Sequence, residues 1–174
     1  MSNITIQKIS ITALSTDAIV NAANEGLREG GGVCGAIFRA AGSKELTGAC
    51  DAIGHCDTGA AVITPGFNLP AKHVIHAVGP VWRGGNNNEP KLLYSAYKKS
   101  LGLAKENDLH SIGFPLISAG IFGYPRKEAW RKALQACEDF IIENPDYDIS
   151  IIFAVLDDVI MEEGITVMKE KNMR

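Results

Sequence analysis

Six short β-rich runs alternate with five stretches of helical spacing, and this alternation restricts the fold more than any other feature of the chain. The runs lie at residues 4–9, 17–21, 60–64, 73–78, 111–116 and 149–156; the helical stretches lie at 33–41, 44–53, 90–107, 125–143 and 158–171. Strands that alternate with helices fold as a layered α/β sheet covered on both faces. Ile151-Ile-Phe-Ala-Val155 and Ala18-Ile-Val20 are apolar at successive positions, as strands buried on both sides require. In the fourth helical stretch Pro125 suits the first turn. Behind it Ala129, Trp130, Ala133, Leu134, Cys137, Phe140 and Ile141 recur with a spacing of three or four, which makes one apolar stripe. The glycine- and asparagine-rich segment 83–90 is a surface loop rather than a boundary, because strands lie on both sides of it. A length of 174 residues suits one domain.

Two of the strand-to-helix connections are rich in glycine. The first runs Ala22-Ala-Asn-Glu-Gly-Leu-Arg-Glu-Gly-Gly-Gly-Val33, and the second Ile117-Ser-Ala-Gly-Ile-Phe-Gly-Tyr124. In open α/β sheets ligands bind outside the carboxyl ends of the strands. Glycines let backbone N–H groups come close to phosphate oxygens, and helix N-termini favour negative charge. One such loop can be a mere turn; two at equivalent positions point to a pyrophosphate gripped from both sides. Gly30, Gly32 and Gly35 also satisfy G-x-G-x-x-G, with Asp51 downstream. A dinucleotide fingerprint turns directly from its strand, whereas here eight residues separate Asn21 from Gly30, and Asp51 falls within a helical stretch. A dehydrogenase is therefore not expected.

Around these loops the sequence resembles the macrodomain family, in particular its MacroD-type branch with the bacterial O-acetyl-ADP-ribose deacetylases. The resemblance is carried by Asp17-Ala-Ile-Val-Asn-Ala-Ala-Asn24, Gly30-Gly-Gly-Val33, Gly35-Ala-Ile37, Arg39-Ala-Ala-Gly42 and Thr58-Gly59. Further on it continues through Ile63-Thr-Pro-Gly-Phe-Asn-Leu-Pro-Ala-Lys72, Val74-Ile-His-Ala-Val-Gly-Pro80 and Phe114-Pro-Leu-Ile-Ser-Ala-Gly-Ile-Phe-Gly-Tyr-Pro125. It implies a three-layer α/β/α fold with a central mixed sheet, and residues 1–174 as a single macrodomain. It also implies an ADP-ribose cleft at the carboxyl edge of the sheet. Gly30, Gly31, Gly32 and Val33 should embrace the distal ribose and its phosphate, with Ala22 beside them and Asn24 hydrogen-bonded to that ribose. Ser118, Ala119, Gly120, Ile121 and Phe122 should cradle the pyrophosphate, with Phe122 packed near the distal ribose. Ser10, Ile11 and Leu156 should receive the adenine. Asn21 is read first as a strand-end residue that bonds its own loop, and second as a further site candidate.

Three positions depart from the family pattern. Ser10 stands where an aspartate usually accepts from the adenine amino group, and Leu156 where many relatives carry an aromatic ring. Cys34 stands where MacroD-type enzymes carry an aspartate that orients the attacking water, with Phe38 in place of a common histidine. Alphaviral macrodomains show a similar Gly-Val-Cys stretch. The implied activity is hydrolysis of a substituent on the distal ribose, either the ester of O-acetyl-ADP-ribose or a mono-ADP-ribosyl ester on protein Asp or Glu. Asn24 and Cys34 are the catalytic candidates. The alternative is a reader module that binds ADP-ribose without turnover. Expected partners are ADP-ribose, O-acetyl-ADP-ribose and mono-ADP-ribosylated proteins; no metal or cofactor is implied.

Bulk properties narrow the partners further. The formal charge is −3, which speaks against nucleic acid as the main partner. No run of 18 apolar residues is present, so no membrane span is expected. The N-terminus alternates like a strand and lacks a signal-peptide pattern. Its four cysteines, Cys34, Cys50, Cys56 and Cys137, form no CxxC pair and are expected to be reduced thiols of a cytoplasmic protein. Cys50, His55 and Cys56 fit no common zinc spacing, His76 is read as structural, and Asp157 and Asp158 as caps of the last helix.

Overall fold

The computed structural model describes residues 1–173. Its six strands are β1 (Asn3–Lys8), β2 (Ala18–Ala23), β3 (Ala61–Pro65), β4 (His73–Val78), β5 (Ser111–Phe114) and β6 (Ser150–Val155). They form one sheet in the order β1-β6-β5-β2-β4-β3. Every pairing is parallel except β3 against β4, so the sheet is mixed, as expected.

Five helices cover it: α1 (Gly32–Ala41), α2 (Ser43–Ile53), α3 (Glu89–Glu106), α4 (Arg126–Glu143) and α5 (Asp158–Glu170). The period of two along each strand divides the core between two faces. Ala18, Val20, Ile75 and Ala77 pack with α3, α4 and α5. Ile19, Ala23, Val74 and Val78 pack with α1 and α2. This is the three-layer α/β/α arrangement. On the first face Trp130, Phe153, Phe114 and Tyr97 are almost fully buried, with successive ring centroids 5.0 to 5.5 Å apart. Burying each such side chain stabilises the fold by roughly 2–3 kcal/mol.

Element boundaries differ from the sequence expectation where local chemistry dictates. β2 continues to Ala23 because its register with β4 runs from Ala18 against His73 to Ala23 against Val78. β5 stops at Phe114 because Pro115 has no N–H to add to a ladder. α1 begins one residue early, at Gly32, whose φ of +57° suits glycine. Asp157 caps α5 by accepting from the N–H groups of Val159 and Ile160 at 2.8 and 3.1 Å. No helix among the described residues is long and apolar enough to cross a membrane.

Candidate functional site

The parallel strands β2 and β5 are neighbours, and their carboxyl ends release the two glycine loops side by side. Between the loops lies a cleft of about 420 Å³, lined from the first by Ala22, Ala23, Asn24 and 30–34, and from the second by Pro115, Leu116, Ser118, Gly120, Ile121 and Phe122. Of the residues read from the sequence, the cleft brings together Ala22, Asn24, Gly30, Gly31, Gly32, Val33, Cys34, Ser118, Gly120, Ile121 and Phe122. Ser10, Ile11, Ala119 and Leu156 are outside this lining. Ser10 and Ile11 follow β1 and Leu156 follows β6, so they stand at the same edge of the sheet, beyond β5. The Ser10 hydroxyl shares a hydrogen bond with Thr12 Oγ1 at 2.9 Å, and Leu156 is largely exposed. Ala23, Pro115 and Leu116 line the cleft without having been singled out; Pro115 could have been taken from the loop motifs.

Backbone donors dominate the walls. α1 has no side-chain cap, and its first intrahelical bond runs from Gly35 N–H to Gly31 O. The N–H groups of Gly32, Val33 and Cys34 are therefore free of helix partners. In the second loop Tyr124 N–H donates to Ser118 O and Gly123 N–H to Gly120 O. That pattern leaves the N–H groups of Gly120, Ile121 and Phe122 free. A Cβ placed on Gly31 or Gly120 would meet no atom within 4 Å, so both positions face open space in the cleft.

Ser118 carries two signs of strain at once. Its φ is +67°, a region that non-glycine residues seldom enter, and its buried Oγ has no hydrogen-bond partner in the protein. A buried hydroxyl without a partner is costly. Its position depends on Gly79, just beyond β4: a Cβ there would lie 2.2 Å from Ser118 Oγ and 2.5 Å from Ile117 Cγ2.

The Asn24 carboxamide closes its own turn. Its Nδ2 donates to Arg28 O at 2.8 Å, and its Oδ1 accepts from Arg28 N–H at 2.9 Å. One Nδ2 hydrogen is left over. Cys34 Sγ reaches the same Arg28 carbonyl at 3.6 Å and lies 3.6 Å from Asn21 Nδ2. The thiol is thus engaged as donor and as acceptor, and is 6% exposed.

Asn21 does not bond its own loop. The longer β2 places it inside the ladder, facing α1 and α2, where its Nδ2 bonds His76 Nδ1 at 3.1 Å. His76 was read as structural, and it is fully buried, between Asn21, Thr64 and Cys50. Burial lowers its pKa to about 4 and pushes the Cys50 thiol up to about 11. Phe38 packs edge-on against the same imidazole. His55 and Asp57 pair on the surface beside Glu25, while Cys56 between them is buried.

Chemically, the cleft offers two opposed sets of N–H donors and one unpartnered hydroxyl, which suits adjacent anionic groups. Its lining contains no carboxylate, ammonium, guanidinium or imidazole. The Cys34 thiol is the one ionisable side chain in it.

Residues 20–133 match the Macro domain family model. A Macro domain-containing protein of Ralstonia nicotianae is 57% identical over 118 residues, covering 68% of each chain. An O-acetyl-ADP-ribose deacetylase of Salmonella gallinarum is 56% identical over 135 residues, covering 75% of each. Among solved structures, the Oceanobacillus iheyensis macrodomain with ADP is 39% identical with a TM-score of 0.87, over 95% of this chain and 91% of that one. The Trypanosoma brucei macrodomain in complex with ADP-ribose is 38% identical with a TM-score of 0.88, over 95% and 69%.

Proposed function

The chain belongs to the Macro domain family, and from that premise we propose that its cleft binds ADP-ribose and that it hydrolyses a substituent on the distal ribose. The substituent is an acyl ester, as in O-acetyl-ADP-ribose, or the ester that joins ADP-ribose to a protein Asp or Glu. The observation that carries the binding is the pair of N–H sets on either side of the cleft. A helix N-terminus and a glycine loop stabilise two neighbouring phosphates without any charged side chain. Ser118 Oγ supplies a donor within reach of the same groups, and its buried, unpartnered state favours a bound anionic oxygen.

On this reading the first loop holds the distal ribose, the second the pyrophosphate, and Ser10, Ile11 and Leu156 receive the adenine beyond β5. Asn24 gives its remaining Nδ2 hydrogen to the ribose. The rest of its carboxamide fixes the turn, so its orientation is set before ligand arrives. Water is the nucleophile. Cys34 is an anchor rather than a nucleophile or base, because its thiol is tied to Arg28 and Asn21 and no base touches it. With no other ionisable side chain in the lining, the substrate's own phosphate is the base available to orient the water.

The same absence of a carboxylate favours one alternative, a module that reads ADP-ribose without turnover. Incubation with O-acetyl-ADP-ribose and with a protein carrying ester-linked mono-ADP-ribose distinguishes the two. Slow release of acetate or ADP-ribose is expected; tight binding with no release from either substrate leaves the reader.

A further inference from the structure

Glu89, the first residue of α3, is 1% exposed, an unusual place for a carboxylate. Its Oε2 accepts from the N–H groups of Arg83 and Gly85 at 2.7 and 3.0 Å, and its Oε1 from Asn87 N–H at 2.6 Å. Three backbone donors on one carboxylate tie residues 83–88 into a tight knot, with left-handed φ values at Gly84, Gly85 and Asn88. The knot does not stand alone. Gly85 lies flat against the Trp82 indole, so closely that a Cβ there would sit 2.8 Å from Trp82 Cη2. Trp82 in turn touches the second glycine loop twice. Its backbone N–H donates to Phe122 O at 2.8 Å, and its ring packs against Tyr124 with centroids 4.7 Å apart. Tyr124 N–H closes the loop onto Ser118 O.

We propose that Glu89 is a positioning residue for the cleft: its carboxylate folds residues 83–88 against Trp82, and Trp82 holds Phe122 by its backbone N–H and Tyr124 by its ring. Glu89 does not line the cleft. It sets the outer support of a loop that lines the cleft with Gly120, Ile121 and Phe122, whose N–H groups have no partner in the protein. A helix cap alone would not explain why the knotted segment ends on the tryptophan that clamps that loop. The effect on ligand rests on the ADP-ribose reading above; the coupling from Glu89 to Phe122 does not.

The chain has two tryptophans, and so two indole N–H signals in a nitrogen–proton NMR spectrum. Trp130, buried and bonded to Ile160 O, is an internal control for Trp82. Glu89→Gln replaces an acceptor oxygen with an N–H donor facing other donors. It should move the Trp82 indole and Phe122 amide signals, leave the Trp130 indole in place, and weaken ADP-ribose by about tenfold in calorimetry, because the cleft wall must then be ordered on binding. If Glu89→Gln does not fold, Gly85→Ala disturbs the same knot from the Trp82 side and should give the same signature. An unmoved Phe122 amide with unchanged affinity overturns the proposal, as does a Trp130 signal that moves as much as Trp82. If Phe122 responds but the wild type does not bind ADP-ribose, the ligand reading fails and the positioning role stands.

Discussion

Asn21 on β2 and His76 on β4 are register partners in the sheet, and Asn21 Nδ2 lies 3.1 Å from His76 Nδ1 beneath the α1 end of the cleft. An amide nitrogen can only donate, so Nδ1 accepts and the imidazole hydrogen sits on Nε2. From there it faces Thr64 Oγ1 at 3.0 Å, and the threonine hydroxyl donates onward to Pro65 O at 3.1 Å. A second proton on His76 would face the Asn21 N–H groups in a site closed to solvent, since His76 and Asn21 are both buried. Because Asn21 also contacts Cys34, this buried chain supports the N-terminus of α1 from below.

A pH dependence follows from the buried imidazole. His76 has a pKa of about 4 in the fold against an ordinary 6.5. A folded pKa below the unfolded one contributes stability that is fully present above about pH 6.5 and is lost as pH falls through about 4. The difference corresponds to about 3 kcal/mol. Urea unfolding between pH 7 and pH 4 should show this loss, and His76→Gln should flatten the curve in that window. Glu89 acts lower: burial pushes its carboxyl up, but backbone N–H groups, that of Arg83 foremost, bring it down to about 2. Its contribution holds above about pH 4.5 and is lost toward pH 2, so Glu89→Gln should flatten the acid limb. Parallel curves for wild type and His76→Gln would sink the assignment.

The pattern of strands and helices predicts the layers well, because periods of two and of three to four are local properties. Boundaries move by a residue or two where Pro115 ends a ladder or Gly32 opens a helix. The facing glycine loops were equally legible, since both follow strands with strong signals. The buried pairs were not. Asn21 and His76 are 55 residues apart, and their contact depends on β2 and β4 being neighbours in an order that the chain sequence does not state. Glu89 fell within the segment 83–90, read only as a surface loop, and the three N–H groups of the folded segment explain its burial. The Asn24 carboxamide was expected to face the ligand; the turn to Arg28 uses two of its four hydrogen-bonding capacities first.

Gly120→Val should separate fold from binding. A Cβ at this position meets nothing within 4 Å, so the core is untouched, while the branched side chain fills the space a phosphate would enter. For the wild type, ADP-ribose at a hundred times its dissociation constant should stabilise the fold by about 2.7 kcal/mol. At roughly 2–4 °C per kcal/mol this is a melting shift of several degrees. The variant should melt within a degree or so of the free wild type and show no shift with ligand. An undiminished shift would mean that the loop is only a turn.

Gly79→Ala tests the seat of Ser118. The new methyl would stand 2.2 Å from Ser118 Oγ and 2.5 Å from Ile117 Cγ2, so Ser118 or β4 must give way. Overpacking of this kind costs about 1–3 kcal/mol. Denaturant unfolding should record that loss, and calorimetry a weaker ADP-ribose affinity in the folded fraction. A loss of stability with unchanged affinity would show that Ser118 can shift without consequence for the ligand.

The last prediction concerns Cys34 and Asn24, which share the Arg28 carbonyl. If substrate phosphate orients the water, Cys34→Ala removes only weak sulfur contacts and should keep most of the single-turnover rate on ester-linked ADP-ribose. Asn24→Ala opens the turn to Arg28 and removes the ribose donor together, so turnover should be lost. Cys34→Asp places a carboxylate where a positioned base could act, a contribution worth about 10²–10⁴-fold when fully developed. Here the gain should be smaller, because Phe38 and the Arg28 carbonyl surround the position and neither suits a negative charge. Were Cys34 the nucleophile, both substitutions would be dead and a covalent adduct of the wild type would appear by mass spectrometry. Equal loss in Cys34→Ala and Asn24→Ala, with no adduct, would instead mean that the thiol holds Asn24 in place through the shared carbonyl. The anchor would then be indispensable to the reaction without taking part in it, and binding measured alongside the rate would show it, since Cys34→Ala would weaken ADP-ribose as much as Asn24→Ala does.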